Sequence, residues 1–206
     1  MSSCPPWCWR GLACVAELRL PKIILARHGT PAWDFTTPIS GRDLASWLEG
    51  ERDAALQPIQ RPSAELAQLV RSASCVIASP LRRSIESARL IAPAVVPLID
   101  EQFREPPLPC DIQTPLRLRP GIWTWLARSA WFCGWSAGVE TFKAARKRAA
   151  EAARILISRA EDHGSVALMG HALLNVLIAG RLRALGWTGP RFPPPRHWAF
   201  AVYVPA

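Results

Sequence analysis

The sequence predicts an α/β fold of three layers, α/β/α, built around a mostly parallel central sheet. Three observations lead there. Five short apolar runs, at Ile23–Ala26, Val76–Ala78, Val95–Ile99, Val166–Met169 and Trp198–Val204, have the length and content of buried strands. Helical periodicity fills most of the gaps between them, and strands alternating with helices give a parallel sheet covered on both faces. Half of the 206 residues are hydrophobic and a fifth are charged, a globular composition in a chain long enough for one sizeable core.

Taken in chain order, residues 1–20 read as a poorly ordered extension of a domain that spans 21–206. Pro5, Pro6 and Arg10 break its apolar stretch, so it makes a poor signal peptide. No run approaches the length of a membrane-spanning helix. Cys4, Cys8 and Cys14 crowd this end, while Cys75, Cys110 and Cys133 are scattered. With no CxxC and no histidines at metal spacing, the six read as free thiols in a reducing, cytoplasmic setting; a zinc or disulfide cluster of the first three is the minority alternative.

After the first strand, Ser40 with Asp43 three residues on resembles a capping box and predicts a helix start. Ser63 opens a second helix through Leu66, Leu69 and Val70. Pro80 suits the first turn of a third, running to about Leu90. Pro106-Pro107-Leu108-Pro109 is extended or turn-forming. Residues 118–138 hold four of the ten tryptophans and read as a short helical excursion over the sheet edge. Glu140 to Arg159 carries the stripe Phe142, Ala145, Ala149, Ala152 and Ile155, which is helical. His171 to Leu185 forms the last helix, ended by Gly186. Lys143–Arg148 reads as a solvated helix face. His163 reads as a surface loop residue, and His197 as structural.

The strand ends carry the chemistry. In an open parallel sheet, ligands sit beyond the carboxyl ends of the strands. Arg27-His28-Gly29 follows the first run, with Gly29 expected to permit a tight turn. Ser79-Pro80-Leu81-Arg82-Arg83 follows the second, Arg104-Glu105 the third, and Gly170-His171 the fourth, where a helix opens. Arginine forks match phosphate oxygens and stay charged. A neutral histidine nitrogen can attack phosphorus, a carboxylic acid can protonate the departing oxygen, and a helix N-terminus adds donors for an anion. The formal charge of +9 fits anionic substrates. Because its arginines are scattered among acids, nucleic acid is a poor partner.

These motifs resemble the histidine phosphatase superfamily, with its phosphoglycerate-mutase-like fold. ARHGT resembles its Arg-His-Gly signature, SPLRRSIESA its Ser-x-Leu-x-Arg helix start, and MGHALLN its Gly-His motif, in order across about residues 21–204. The resemblance implies that His28 is the phosphorylated nucleophile and that Arg27, Arg83 and His171 hold the phosphoryl group. It implies Glu105 as proton donor, with Asp100 and Glu101 as competitors. Arg83 is preferred to Arg82 because it lies four residues after Ser79. Asp34 stands where members often carry an Asn donor to phosphate, and a carboxylate facing the pocket would repel the substrate.

The function expected is a metal-independent phosphomonoester hydrolase using no cofactor. It would act on a small-molecule or peptide phosphomonoester, with no stable membrane association. A phosphotransferase or mutase of the same chemistry and a non-catalytic phosphate-binding module are the alternatives. The mutases' closing insertions have no clear counterpart in this chain, which favours hydrolysis.

Overall fold

The computed structural model describes residues 20–206; the expected extension, including Cys4, Cys8 and Cys14, otherwise lies outside the described residues. Six strands form one sheet: Lys22–Arg27 (β1), Cys75–Ala78 (β3), Leu98–Ile99 (β4), Ser165–Gly170 (β6), Trp187–Thr188 (β7) and Phe200–Pro205 (β8). Their order is β4-β3-β6-β1-β8-β7. Pairing is parallel from β4 through β3 and β6 to β1, and antiparallel from β1 to β8 and from β8 to β7. Ile39–Ser40 (β2) and Arg117–Leu118 (β5) make a separate antiparallel pair.

The three layers follow from the period of two along the strands. On β1, Ile23 and Leu25 enter one core, with Leu168 of β6, Leu156 of helix α5 (Phe142–His163) and Leu174 and Ile178 of helix α6 (Ala172–Ala184). Ile24 and Ala26 enter the other. There they meet Met169, Leu66 and Val70 of helix α2 (Ala64–Arg71), and Ala88 and Ile91 of helix α3 (Arg82–Ile91). The α5 stripe is made largely of alanines, Ala145, Ala149, Ala152, Ala153 and Ala160, all buried, so the helix backbone can lie close to the sheet and α6. Ser63 and Thr141 cap α2 and α5 by accepting from Leu66 and Ala144 amides. Gly164 ends α5 at φ +84°, a left-handed conformation suited to glycine.

Several boundaries differ from expectation for identifiable reasons. Pro97 removes a ladder donor, so the third run contributes only the two half-exposed residues of β4, at the sheet edge. Trp198 has φ +62°, which no strand accommodates, so β8 begins at Phe200. Ser40 does pair with Asp43, its N–H and hydroxyl both donating to Asp43 Oδ2, but this closes a turn before helix α1 (Leu44–Asp53). Pro80 stays outside α3, whose N-cap is Leu81. The tryptophan-rich stretch forms helix α4 (Pro120–Phe132). Its side chains hydrogen-bond to Ile39, Pro106 and Glu140, none of them on an edge of the large sheet. Among the described residues, no helix is long and apolar enough to cross a membrane.

Candidate active site

Register brings the two motif histidines together. β1 and β6 pair in parallel with Arg27 opposite Gly170, so His28 and His171 are each the next residue beyond neighbouring strand ends. Adjacent strands lie about 4.8 Å apart, and the two imidazole centroids are 4.9 Å apart. β3 pairs with β6 on the other side, and the Ser79 amide continues that ladder to Met169. Ser79 is thereby set beside His171, its Oγ 2.7 Å from Nε2.

The polar interior is concentrated here. Among the described residues, eight polar or charged side chains are buried, and all but Ser40 belong to this cluster: His28, Ser79, Arg83, Ser84, Ser87, His171 and Asn175. Burying such groups is costly unless they are paired, and their partners account for nearly all of them. Ser87 Oγ accepts from the Gly29 amide and donates to the Arg83 carbonyl. Asn175 Nδ2 donates to the Ala26 carbonyl, fixing the end of β1. A Cβ on Gly170 would lie 2.6 Å from Asn175 Oδ1, so that glycine is dictated by the asparagine. Gly29 is dictated by close approach too: its Cβ would lie 2.3 Å from Trp198 Cζ2. The expected tight turn at Gly29 is thus replaced by steric need.

The protonation of His28 follows from its contacts. Nδ1 is 2.6 Å from the Gly29 carbonyl, which can only accept, so Nδ1 carries the proton. Nε2 then has the lone pair, and Arg83 Nε donates to it at 3.1 Å. Burial, then His171 and the nearby arginine cations, hold the pKa well below the usual histidine value. His171 is pushed the same way by burial and by Arg83 and Arg27. Its Nδ1 is buried with no partner in the protein.

Two helix ends hold the charges. The Arg83 guanidinium sits at the C-terminus of α1, donating to the Glu51 and Arg52 carbonyls and pairing with Glu51 Oε1 at 3.3 Å. Glu105 sits at the N-terminus of α6, where its two carboxylate oxygens accept from the Leu173 and Leu174 amides at 3.2 and 3.0 Å. Burial raises the Glu105 pKa above the usual carboxylate range, against those amides and the charge of Arg128. Arg27 donates to the Pro195 carbonyl, and its buried Nε has no partner.

Arg27, His28, Arg83, Glu105 and His171 all line one cleft of about 940 Å³. Asp100 and Glu101 do not: Asp100 caps the turn at Glu101–Phe103 and Glu101 pairs with Arg104. Arg82 turns outward to Glu86. Asp34 also faces away, accepting from the Thr36 amide and hydroxyl and the Thr37 amide; the Thr37 and Thr36 side chains, then their amides, hold its pKa below the usual range. Among the described residues, no group of three or more His, Cys, Asp or Glu side chains is placed to hold a metal ion.

Four participants escaped the sequence reading. His197 donates from Nδ1 to the His28 carbonyl 3.2 Å away, and its pKa is lowered to about 4 by burial and Arg27. Glu51 is paired as described. Arg148, expected on a solvated face, turns inward to Glu140 and donates to the Gln102 and Arg104 carbonyls, bracing the segment that carries Glu105. No sequence signal separates it from Lys143, Arg146 and Lys147, which are exposed. Arg128 reaches the cleft from α4, donates to the Pro106 carbonyl and stacks on Trp131. Its signal was present: it is the only charged residue between Pro120 and Val139.

A sheet that presents paired imidazoles, arginines and a raised carboxyl at one rim defines the class of α/β proteins that handle phosphoryl groups. The family model of the histidine phosphatase superfamily (branch 1) matches residues 23–197. The chain belongs to that superfamily, and its chemistry is of phosphatase or mutase type. Solved structures share the fold. A mycobacterial glucosyl-3-phosphoglycerate phosphatase matches at 20% identity and TM-score 0.55 over 80% of each chain. A second mycobacterial protein, described as hydrolase 2, matches at 22% identity and TM-score 0.53 over 80% of this chain and 72% of its own. A phosphoserine phosphatase mutant from Entamoeba histolytica, in complex with phosphoserine, matches at 17% identity and TM-score 0.52 over 79% of this chain and 80% of its own. A search of curated proteins finds no match.

Proposed function

We propose that the protein is a metal-independent phosphomonoester hydrolase working through a phosphohistidine on His28. The observation that carries this reading is the fixed tautomer of His28, whose proton is held at Nδ1 by the Gly29 carbonyl, leaving the Nε2 lone pair in the cleft. Nε2 attacks phosphorus, the phosphorus–oxygen bond to the leaving group breaks, and Glu105 gives its proton to that oxygen. Arg83 Nε, which rests on Nε2, transfers its hydrogen bond to a phosphoryl oxygen as the substrate enters. Arg27 and Arg83 neutralise the charge that a metal ion neutralises in other phosphoryl-transfer sites, and the neutral His171 donates a hydrogen bond to a phosphoryl oxygen from Nδ1. Water then attacks the phosphohistidine, Glu105 takes its proton, and the P–N bond breaks to release phosphate.

The substrate is a small-molecule or peptide phosphomonoester, and the cysteine usage supports a cytoplasmic setting. The test is phosphate release from an aryl phosphate by the purified protein. His28→Ala is expected to fall to the uncatalysed rate. Glu105→Gln should lose roughly 10²–10⁴-fold in kcat while still binding phosphate. Added acceptor alcohol should leave free phosphate as the sole phosphorylated product; an alkyl phosphate ester would instead identify a phosphotransferase. Undiminished turnover by His28→Ala would refute the assignment.

A further inference from the structure

Resting on the hydrolase reading, we infer that the leaving group this site takes is bulky and apolar, of the size of a fused aromatic ring. The position of Glu105 sets the direction. A proton donor must face the leaving oxygen, so the rest of the leaving group runs along the chain that follows Glu105. That chain is Pro106, Pro107 and Leu108, all of which line the cleft. Phe35, Trp47 and Trp125 line the same cleft. Trp125 is 67% exposed and Phe35 41%, large aromatic side chains that line the cleft and are left open to solvent.

The polar inventory points the same way. A sugar or amino-acid leaving group needs neutral donors and acceptors at fixed positions, supplied mostly by Asn, Gln, Ser or Thr. Histidines aside, Thr124 is the only such side chain among the residues lining the cleft, and its hydroxyl already donates to the Gly121 carbonyl. Of the charged groups near Glu105, Arg104 pairs with Glu101 and Arg128 donates to the Pro106 carbonyl through Nη2, leaving its Nη1 as a buried donor without a partner. The cleft volume of about 940 Å³ exceeds what a phosphoryl group fills, and its lining outside the phosphoryl pocket includes Phe35, Trp47, Pro107, Leu108 and Trp125. Apolar walls gain affinity by removing apolar ligand surface from water.

The test compares 2-naphthylmethyl phosphate with ethyl phosphate. Both leave as primary alcohols of similar acidity, so a difference in kcat/KM reports recognition rather than chemistry. The purified full chain is expected to favour the naphthylmethyl ester by about tenfold or more, as burial of a fused ring predicts. Trp125→Ala should narrow that ratio by at least about fivefold, and Trp125→Phe should restore most of it. Trp125 is on the surface of α4, and circular dichroism checks that each variant folds. Equal kcat/KM for the two esters in the wild-type protein, or a ratio untouched by Trp125→Ala, would overturn the inference while leaving the hydrolase reading intact. No phosphate released from either ester, nor from 2-naphthyl phosphate, would overturn both.

Discussion

At the scale of single residues, the site is tuned by burial. His28 is kept neutral by desolvation and by neighbouring cations, while Glu105 is kept protonated to higher pH by its own desolvation. As base and acid respectively, they set opposite limbs of the pH profile. The acid limb of kcat/KM is expected below the ordinary histidine value of 6.5, and the basic limb above the ordinary glutamate value of 4.5. Arg128 draws the Glu105 pKa down, so Arg128→Met should raise it and move the basic limb to higher pH. A profile unchanged by that substitution would detach Arg128 from Glu105. That Arg27, His28, Arg83, Glu105 and His171 meet in one cleft was legible, because each lies at, or a few residues beyond, the carboxyl end of a strand. Arg148 and Glu51 were not, because their roles depend on contacts between segments remote in sequence: 44–46 residues separate Arg148 from the carbonyls it braces, and 32 separate Arg83 from Glu51.

At the scale of elements, the loop after β1 is held by contacts to two segments, which also bond to each other. Gly29 packs under Trp198 of the β8 approach; Thr30 exchanges hydrogen bonds with Gln60; and Trp198 Nε1 donates to the same Gln60 oxygen that accepts from Thr30. Gly29→Ala forces its methyl group into a rigid indole, and overpacking of this kind costs about 1–3 kcal/mol. Urea unfolding should show that loss, together with reduced kcat, because the displaced loop carries His28. Unchanged stability would mean that Trp198 yields freely. The left-handed backbone at Trp198, which makes this contact possible, had no signal in the sequence, since the run Trp198–Val204 reads as continuous strand. Likewise the apolar Val95–Ile99 promised more strand than Pro97 allows. Helices α2 and α6 were legible in full, because a serine cap and a Gly-His strand exit mark their starts.

At the scale of the whole molecule, a buried neutral histidine cluster makes the fold sensitive to acid. His28, His171 and His197 all hold pKa values below 6.5 in the folded protein, chiefly through burial. The unfolded chain takes up protons at these residues near pH 6.5 and the folded chain does not, so the unfolded state binds more protons there. Their contribution is therefore present above pH 6.5 and lost as pH falls below it. Thermal unfolding between about pH 7 and 5 should show a falling Tm, by roughly 2–4 °C for each kcal/mol lost, with a shallower slope in His28→Gln. A flat Tm across that window would mean that the histidines accept protons while folded. The most direct test of the account, though, is to trap the intermediate. Rapid quenching during turnover of a phosphorus-labelled ester, followed by peptide mapping, should find one acid-labile phosphoryl group on Nε2 of His28, absent in His28→Ala. Turnover with no covalent phosphoryl group on His28, or with the label on another residue, would contradict it.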